Sequence, residues 1–186
     1  MVNSVIEQTR ESEIKLLKAF EDRKLQAIAS DISGHMDTML RYGRECKTIV
    51  EFGTCRGTST LCWILSKPSE ILCVDIDHQP LYAWDIIKDF IKDFSIDLKL
   101  VTGDSRTYKI EPTELLFIDT IHEYGFLLQE LNSSGNKATK YLIFHDTAFS
   151  LGCYQAVQVW CQENPHWKIK EHFTNCNGLT ICERKY

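Results

Sequence analysis

The stretch KTIVEFGTCRGTSTLCWIL, running from Lys47 to Leu65, decides how this chain folds. It opens with an apolar run containing Ile49 and Val50, breaks at Gly53, crosses a polar loop to Gly57, and resumes as a helical pattern in Leu61, Ile64 and Leu65. That spelling is a strand, a tight turn and the start of a helix. Gly53 frees the chain to turn, Gly57 lets backbone approach a ligand or the strand, and Ser59 is placed to cap free amides of the first helical turn. The loop departs from the dinucleotide pattern G-x-G-x-x-G, because the glycines are spaced too widely and an acid, Glu51, stands two residues before the first. A carboxylate there suits a ligand carrying an ammonium group and repels a pyrophosphate. A strand-to-helix turn with no ligand is the competing reading.

Outward from this stretch the pattern alternates. Strands are expected at 70–75, 98–102, 115–118 and 141–144, with a helix from Pro80 to about residue 94 and others at 124–131 and 153–162. Alternation of this kind means a parallel sheet covered by helices on both faces. The chain closes differently: 167–173 and 179–183 are joined by a turn containing Asn177 and Gly178, which predicts an antiparallel β-hairpin. Before the opening stretch, 5–29 reads as one amphipathic helix or two short ones, punctuated by Ser30-Asp31 and Ser33-Gly34, with a shorter helix at 35–42. The fold class expected is α/β, Rossmann-like: one domain over 1–186, made of a helical cover (1–45) and a core (47–186).

Composition narrows the function. At 186 residues the chain is long enough to bury about 70% of its unfolded surface in one core. A formal net charge of -5 argues against a general affinity for nucleic acid. Eight cysteines with no C-x-x-C pair read as small reduced core residues. The first eleven residues include Glu7, Arg10 and Glu11, and no run approaches the ~20 apolar residues of a membrane span. A cytoplasmic location without membrane contact is expected.

Read as E-x-G-x-x-x-G-x-S, Glu51 to Ser59 resembles the first motif of class I S-adenosylmethionine-dependent methyltransferases, closest to the catechol O-methyltransferase-like and macrocin O-methyltransferase or cephalosporin hydroxylase-like groups. The resemblance implies that Glu51, Gly53, Thr54, Gly57 and Ser59 wrap the methionine end of the cofactor. It implies that Asp75 takes the ribose hydroxyls while Asp77 caps the next helix, and that Asp104 and Ser105 lie on the adenine side. A turn or capping role is the alternative for Asp104.

The segments FIDTIHEY (117–124) and FHDT (144–147) look like the stretches that hold a divalent metal in the macrocin-type families. By that resemblance Asp119 and Asp146 are metal ligands, with His145 or Thr147 as the further one, around Mg²⁺ or another divalent cation. His122 stands where the catechol-type enzymes have a lysine base, so it is a candidate catalytic base beside Asp119. A structural histidine is the competing reading. His35, His78, His166 and His172 read as surface or structural. Thr120 and Ile121 depart from the glycine and polar residue usual after the metal-binding aspartate, and no insertion for a substrate lid is evident.

The function implied is methyl transfer from S-adenosylmethionine to a hydroxylated small molecule. The alternatives are a silent S-adenosylmethionine-binding protein acting through a partner, and a metal-independent methyltransferase of the same fold. A homo-oligomer is an option the sequence leaves open.

Overall fold

The computed structural model describes residues 2–26 and 32–185, with side chains from residue 11 onward. The expectations that touch Ile28, Ala29, Ser30 and Asp31 lie outside the described residues. Helices α1 (Val2–Leu25) and α2 (Met36–Gly43) precede a seven-stranded sheet. Its strands are β1 (Thr48–Phe52), β2 (Glu70–Asp75), β3 (Asp97–Thr102), β4 (Thr113–Ile118), β5 (Ala138–His145), β6 (Trp167–Phe173) and β7 (Leu179–Arg184). Helices α3 (Thr58–Leu65), α4 (Trp84–Asp93), α5 (Tyr124–Ser134) and α6 (Leu151–Glu163) lie between them.

The spatial order is β3-β2-β1-β4-β5-β7-β6. The first five strands run parallel, and β7 pairs antiparallel with both β5 and β6. This is the expected mostly parallel, Rossmann-like sheet with a closing hairpin. Strand order reverses between β1 and β4, and in open α/β sheets ligands bind at the carboxyl ends of strands at such a reversal.

Period-2 alternation sorts the sheet into two cores. Ile49, Ile71, Leu115, Phe117 and Ile143 pack with α2, α3 and α4 on one face. Val50, Phe52, Leu116, Ile118, Leu142 and Phe144 pack with α5 and α6 on the other, where Trp160 and Val157 fill the space. The eight cysteines are free thiols, as expected. Cys46, Cys62, Cys73, Cys153 and Cys182 lie in the core, whereas Cys161 and Cys176 are half-buried and Cys55 is exposed, contrary to a core position for all eight. No helix among the described residues is long and apolar enough to cross a membrane.

Two local expectations are corrected. Helix α4 starts at Trp84 rather than near Pro80, with Ala83 in a left-handed conformation (φ 57°) as its N-cap. Asp77 therefore caps nothing on that helix; its amide donates to Asp75 Oδ1 and its carboxylate accepts from Gln79.

Candidate active site

Two adjoining clefts open at the carboxyl ends of β1, β2, β3 and β4. One, of about 330 Å³, is lined by residues that include Asp75, Ile76, Gly103, Asp104, Ser105, Ile121 and Phe126. The other, of about 500 Å³, is lined by Thr54, Arg56, Ser59, His122, His145, Asp146 and Asn177, with Arg23 and Ile32 from the N-terminal segment. Gly53, Cys55, Asp119 and Thr120 line both. The β1–α3 loop is thus the wall between them; Gly57, expected among the cofactor-binding residues, lines neither cleft.

Glycine is required at Gly53. Its φ is +84°, and an added Cβ would sit 2.0 Å from the carbonyl oxygen of Asp119. That close approach seats the loop against the end of β4. Asp75 shapes the same loop: its Oδ2 accepts from the amides of Thr54 (2.7 Å) and Cys55 (2.9 Å). Burial would raise its pKa, but the amides of Asp77, Cys55 and Thr54 outweigh that and hold it below the ordinary carboxylate range.

Glu51 does not line either cleft. Its parity along β1 is that of Ile49, so its side chain lies under α3, wholly buried. There it accepts from Thr60 Oγ1 (2.5 Å), the Trp63 indole Nε1 (3.0 Å) and Cys73 Sγ (3.2 Å). Burial pushes its carboxyl up to about 7, against those bonds and one from Ser59 that pull it down. Ser59 is likewise not a cap; the N-cap of α3 is Gly57 at φ +78°. Glu51→Ala should therefore act on stability, leaving the Trp63 N–H and the Thr60 hydroxyl buried and unpaired at about 1–3 kcal/mol each. Urea unfolding would register the loss, whereas unchanged stability with weakened ligand binding would return Glu51 to the ligand set.

On the first cleft, Asp104 is clamped by Arg106, with Oδ2 2.6 Å from Nη2, and the guanidinium lies over the Phe126 ring. Ser105 donates its hydroxyl to the buried Glu130 on α5, which also accepts from Thr120 Oγ1 (2.8 Å). Burial pushes Glu130 up to about 7. Both predicted residues sit in the cleft wall with these side-chain groups already engaged.

On the second cleft, two carboxylates lie between two imidazoles. His122 Nε2 is 2.9 Å from Asp146 Oδ2 and 3.2 Å from Asp119 Oδ1 on the solvent side. His145 Nδ1 is 3.0 Å from Asp146 Oδ2 and 3.5 Å from Asp119 Oδ1 on the buried side. Neighbours in a regular strand point to opposite faces. His145 and Asp146 converge because Asp146 takes a left-handed conformation, φ 57°, which aspartate tolerates better than most residues. Hydrogen bonds to Asp119 and Asp146 raise His122 to about 9. Burial alone would lower His145, and the same two carboxylates overcome it.

Asp119, His145 and Asp146 each offer a donor atom, all within 4.8 Å of one another. The fit to a divalent cation rests on one atom: His145 Nδ1 is buried and makes no aligned hydrogen bond despite the nearby oxygens. His145 Nε2 contacts the carbonyl of Cys176 (3.2 Å), an acceptor only, so this nitrogen carries the proton and Nδ1 is the one turned to the acids. Thr147 is engaged elsewhere, accepting from Thr180 Oγ1 (2.8 Å).

Ile76, Ile121, Phe126, Arg23 and Asn177 were not foreseen as lining residues. Ile76, an apolar side chain between two acids at a strand end and strongly exposed, carried a signal. Arg23 and Asn177 carried none, being brought in by tertiary packing.

The chain has the Rossmann-like fold of the S-adenosylmethionine-dependent methyltransferases. No family model matches the chain, and no curated protein matches it by sequence. Solved structures do match. An O-methyltransferase from Bacillus cereus in complex with SAH superposes at a TM-score of 0.61 with 14% identity, covering 94% of this chain and 91% of its own. The SAH-bound methyltransferase PaMTH1 from Podospora anserina gives a TM-score of 0.57 with 18% identity, covering 92% and 88%. A ribosomal protein methylase from Lactobacillus delbrueckii subsp. bulgaricus gives 0.57 with 14% identity, covering 82% and 79%.

Proposed function

We propose that this protein is an S-adenosylmethionine-dependent methyltransferase acting on a hydroxyl oxygen of a small molecule, with a divalent cation at its site. The observation that carries the reading is the set of Asp119, His145 and Asp146 donor atoms within 4.8 Å of one another on the rim of the paired clefts. Two neighbours of this fold hold SAH, and both clefts lie at the strand ends where such a ligand binds.

In this reading the cleft beside Asp75 takes the adenosyl half of the cofactor, with Ile76 and Phe126 as apolar surfaces and Asp75 available to the ribose hydroxyls. The methionyl half crosses the wall at Gly53, Thr54 and Cys55 toward the second cleft. Asp119, His145 and Asp146 would hold the cation, whose charge lowers the pKa of a nearby acceptor hydroxyl. Two carboxylate oxygens and one imidazole nitrogen suit Mg²⁺ and, through the nitrogen, Mn²⁺ or Fe²⁺. His122 stands on the open side of the carboxylates, placed to take the hydroxyl proton in its neutral form. The acceptor oxygen forms its bond to the methyl carbon as the carbon–sulfur bond breaks, and the proton passes to His122. The chain's further task is to hold donor and acceptor in line.

The cation and the His122 proton compete for the same two carboxylates. Because His122 stays protonated up to about 9 and His145, itself a proposed ligand, up to about 10 without a cation, divalent-ion affinity should rise with pH through about 10 and then level off. Calorimetric titration with Mn²⁺ across that range checks the sign; affinity independent of pH would separate His122 from the cation site.

One observation favours a second reading. The His122 and His145 imidazoliums together already balance both acids, His122 at 2.9 and 3.2 Å, so that a metal-independent methyltransferase would need no cation there. Transfer of labelled methyl to a panel of hydroxylated small molecules (catechols, sugars, polyketide glycosides), with and without chelator, separates the two. Loss of transfer with chelator and its return with Mg²⁺ or Mn²⁺ supports the cation. Transfer indifferent to chelator supports the second reading, and binding without transfer to any acceptor supports a silent binder.

A further inference from the structure

The tip of the β6–β7 hairpin is held against the site by three consecutive backbone carbonyls. Asn175 O accepts from His35 Nε2 (2.9 Å), Cys176 O from His145 Nε2 (3.2 Å), and Asn177 O from the amides of Ala148 and Phe149 (2.8 Å each). The tip adopts a shape that few sequences allow, with φ of 47° at Cys176, 65° at Asn177 and 93° at Gly178. At Gly178 a Cβ would fall 2.3 Å from the Ala148 amide nitrogen, so only glycine lets the tip close on the segment that follows Asp146. His35 is 2% exposed and its ring lies between those of His145 and Phe173, at 6.0 and 5.9 Å. Burial lowers its pKa, so it is neutral, with one N–H for the Asn175 carbonyl. Hairpin, N-terminal cover and β5 thus meet at the two residues, His145 and Asp146, whose donor atoms face Asp119.

We infer that the hairpin tip, braced by His35, is a positioning device that fixes the ring orientation and tautomer of His145 and the turn at Asp146, and so sets the affinity of the site for a divalent cation. This rests on the cation reading given above. Outer contacts to a metal-ligating histidine typically change metal affinity by about 10–100-fold when removed. His35 touches no proposed ligand donor atom; it acts on His145 through the tip carbonyls and through the edge contact of the two rings.

The test uses the full chain and Mn²⁺ as probe. His35→Leu removes the N–H and keeps an apolar side chain; His35→Gln restores a donor. His35→Leu should bind Mn²⁺ about 10–100-fold more weakly while its affinity for S-adenosylhomocysteine stays within about twofold, and His35→Gln should recover most of the loss. Nitrogen-15 shifts of His145 in the cation-free protein, at a pH above about 10 where the ring has lost its second proton, should report protonated Nε2 in the wild type and a mixed population in His35→Leu. Gly178→Ala should repeat the loss if it folds, and S-adenosylhomocysteine binding reports whether it does. Wild-type Mn²⁺ affinity and an unchanged His145 tautomer in His35→Leu would overturn the inference. If the wild type binds no divalent ion, and Asp119→Ala changes nothing, the cation reading itself fails, a result distinguishable from failure at the hairpin.

Discussion

Asp119→Ala should abolish divalent-ion binding and reduce methyl transfer by more than the 10–100-fold typical of an outer-contact loss, while affinity for S-adenosylmethionine changes little. The asymmetry follows from the layout. Asp119 supplies one of two carboxylates in the donor set, whereas Asp75 and the β1–α3 loop organise the other cleft without using its side chain. Removing Asp119 also leaves Asp146 alone between His122 and His145, one carboxylate against two imidazoles, a poorer site for a cation. Parallel titrations with Mn²⁺ and S-adenosylmethionine on wild type and variant measure both halves. Equal loss of both ligands would mean that the variant has lost its fold or that the Asp119 carboxylate itself holds the cofactor.

His122→Ala is expected to slow transfer by about 10²–10⁴-fold near neutral pH if the imidazole takes the acceptor proton. Part of that loss should return as pH rises, because solvent hydroxide can then do the same work. A wild-type rate across pH in this variant would leave the cation alone to activate the acceptor. The cation-free protein offers a second readout with a fixed sign. The folded pKa of His122, about 9, lies above its ordinary value near 6.5, so its pairing stabilises the fold fully below about 6.5 and fades as pH rises through about 9. The difference in Tm between wild type and His122→Ala should therefore shrink with rising pH. It should be modest throughout, because His122 is partly open to solvent.

The fold was legible because the chain states it locally. Short β-branched and apolar runs separated by helical stripes can only be a covered parallel sheet, and Asn177-Gly178 marks a hairpin. The helix expected from Pro80 failed where local pattern gives no stop signal. Residues 80–83 are compatible with helix in sequence, yet Tyr82 N bonds to Arg56 O in the β1–α3 loop, so tertiary contact holds the chain out of the helix.

At the site, the two acids at the ends of β4 and β5 were readable as a pair, since adjacent parallel strands bring their carboxyl ends together. Glu51 was misplaced because the motif was read as a loop. The strand parity it shares with Ile49 already pointed it beneath α3, away from both clefts. That His145 rather than Thr147 faces the acids depends on the left-handed turn at Asp146 and on a carbonyl from the hairpin, long-range contacts that no local pattern encodes.

The central claim is that the paired clefts form an S-adenosylmethionine site beside a cation site. Calorimetric titration of the purified chain with S-adenosylmethionine, S-adenosylhomocysteine and NAD, each with and without Mg²⁺, tests it most directly. The account predicts binding of the first two and no binding of NAD, whose pyrophosphate finds no glycine-rich phosphate cradle at the β1–α3 loop. Binding of NAD with neither S-adenosyl compound would contradict it.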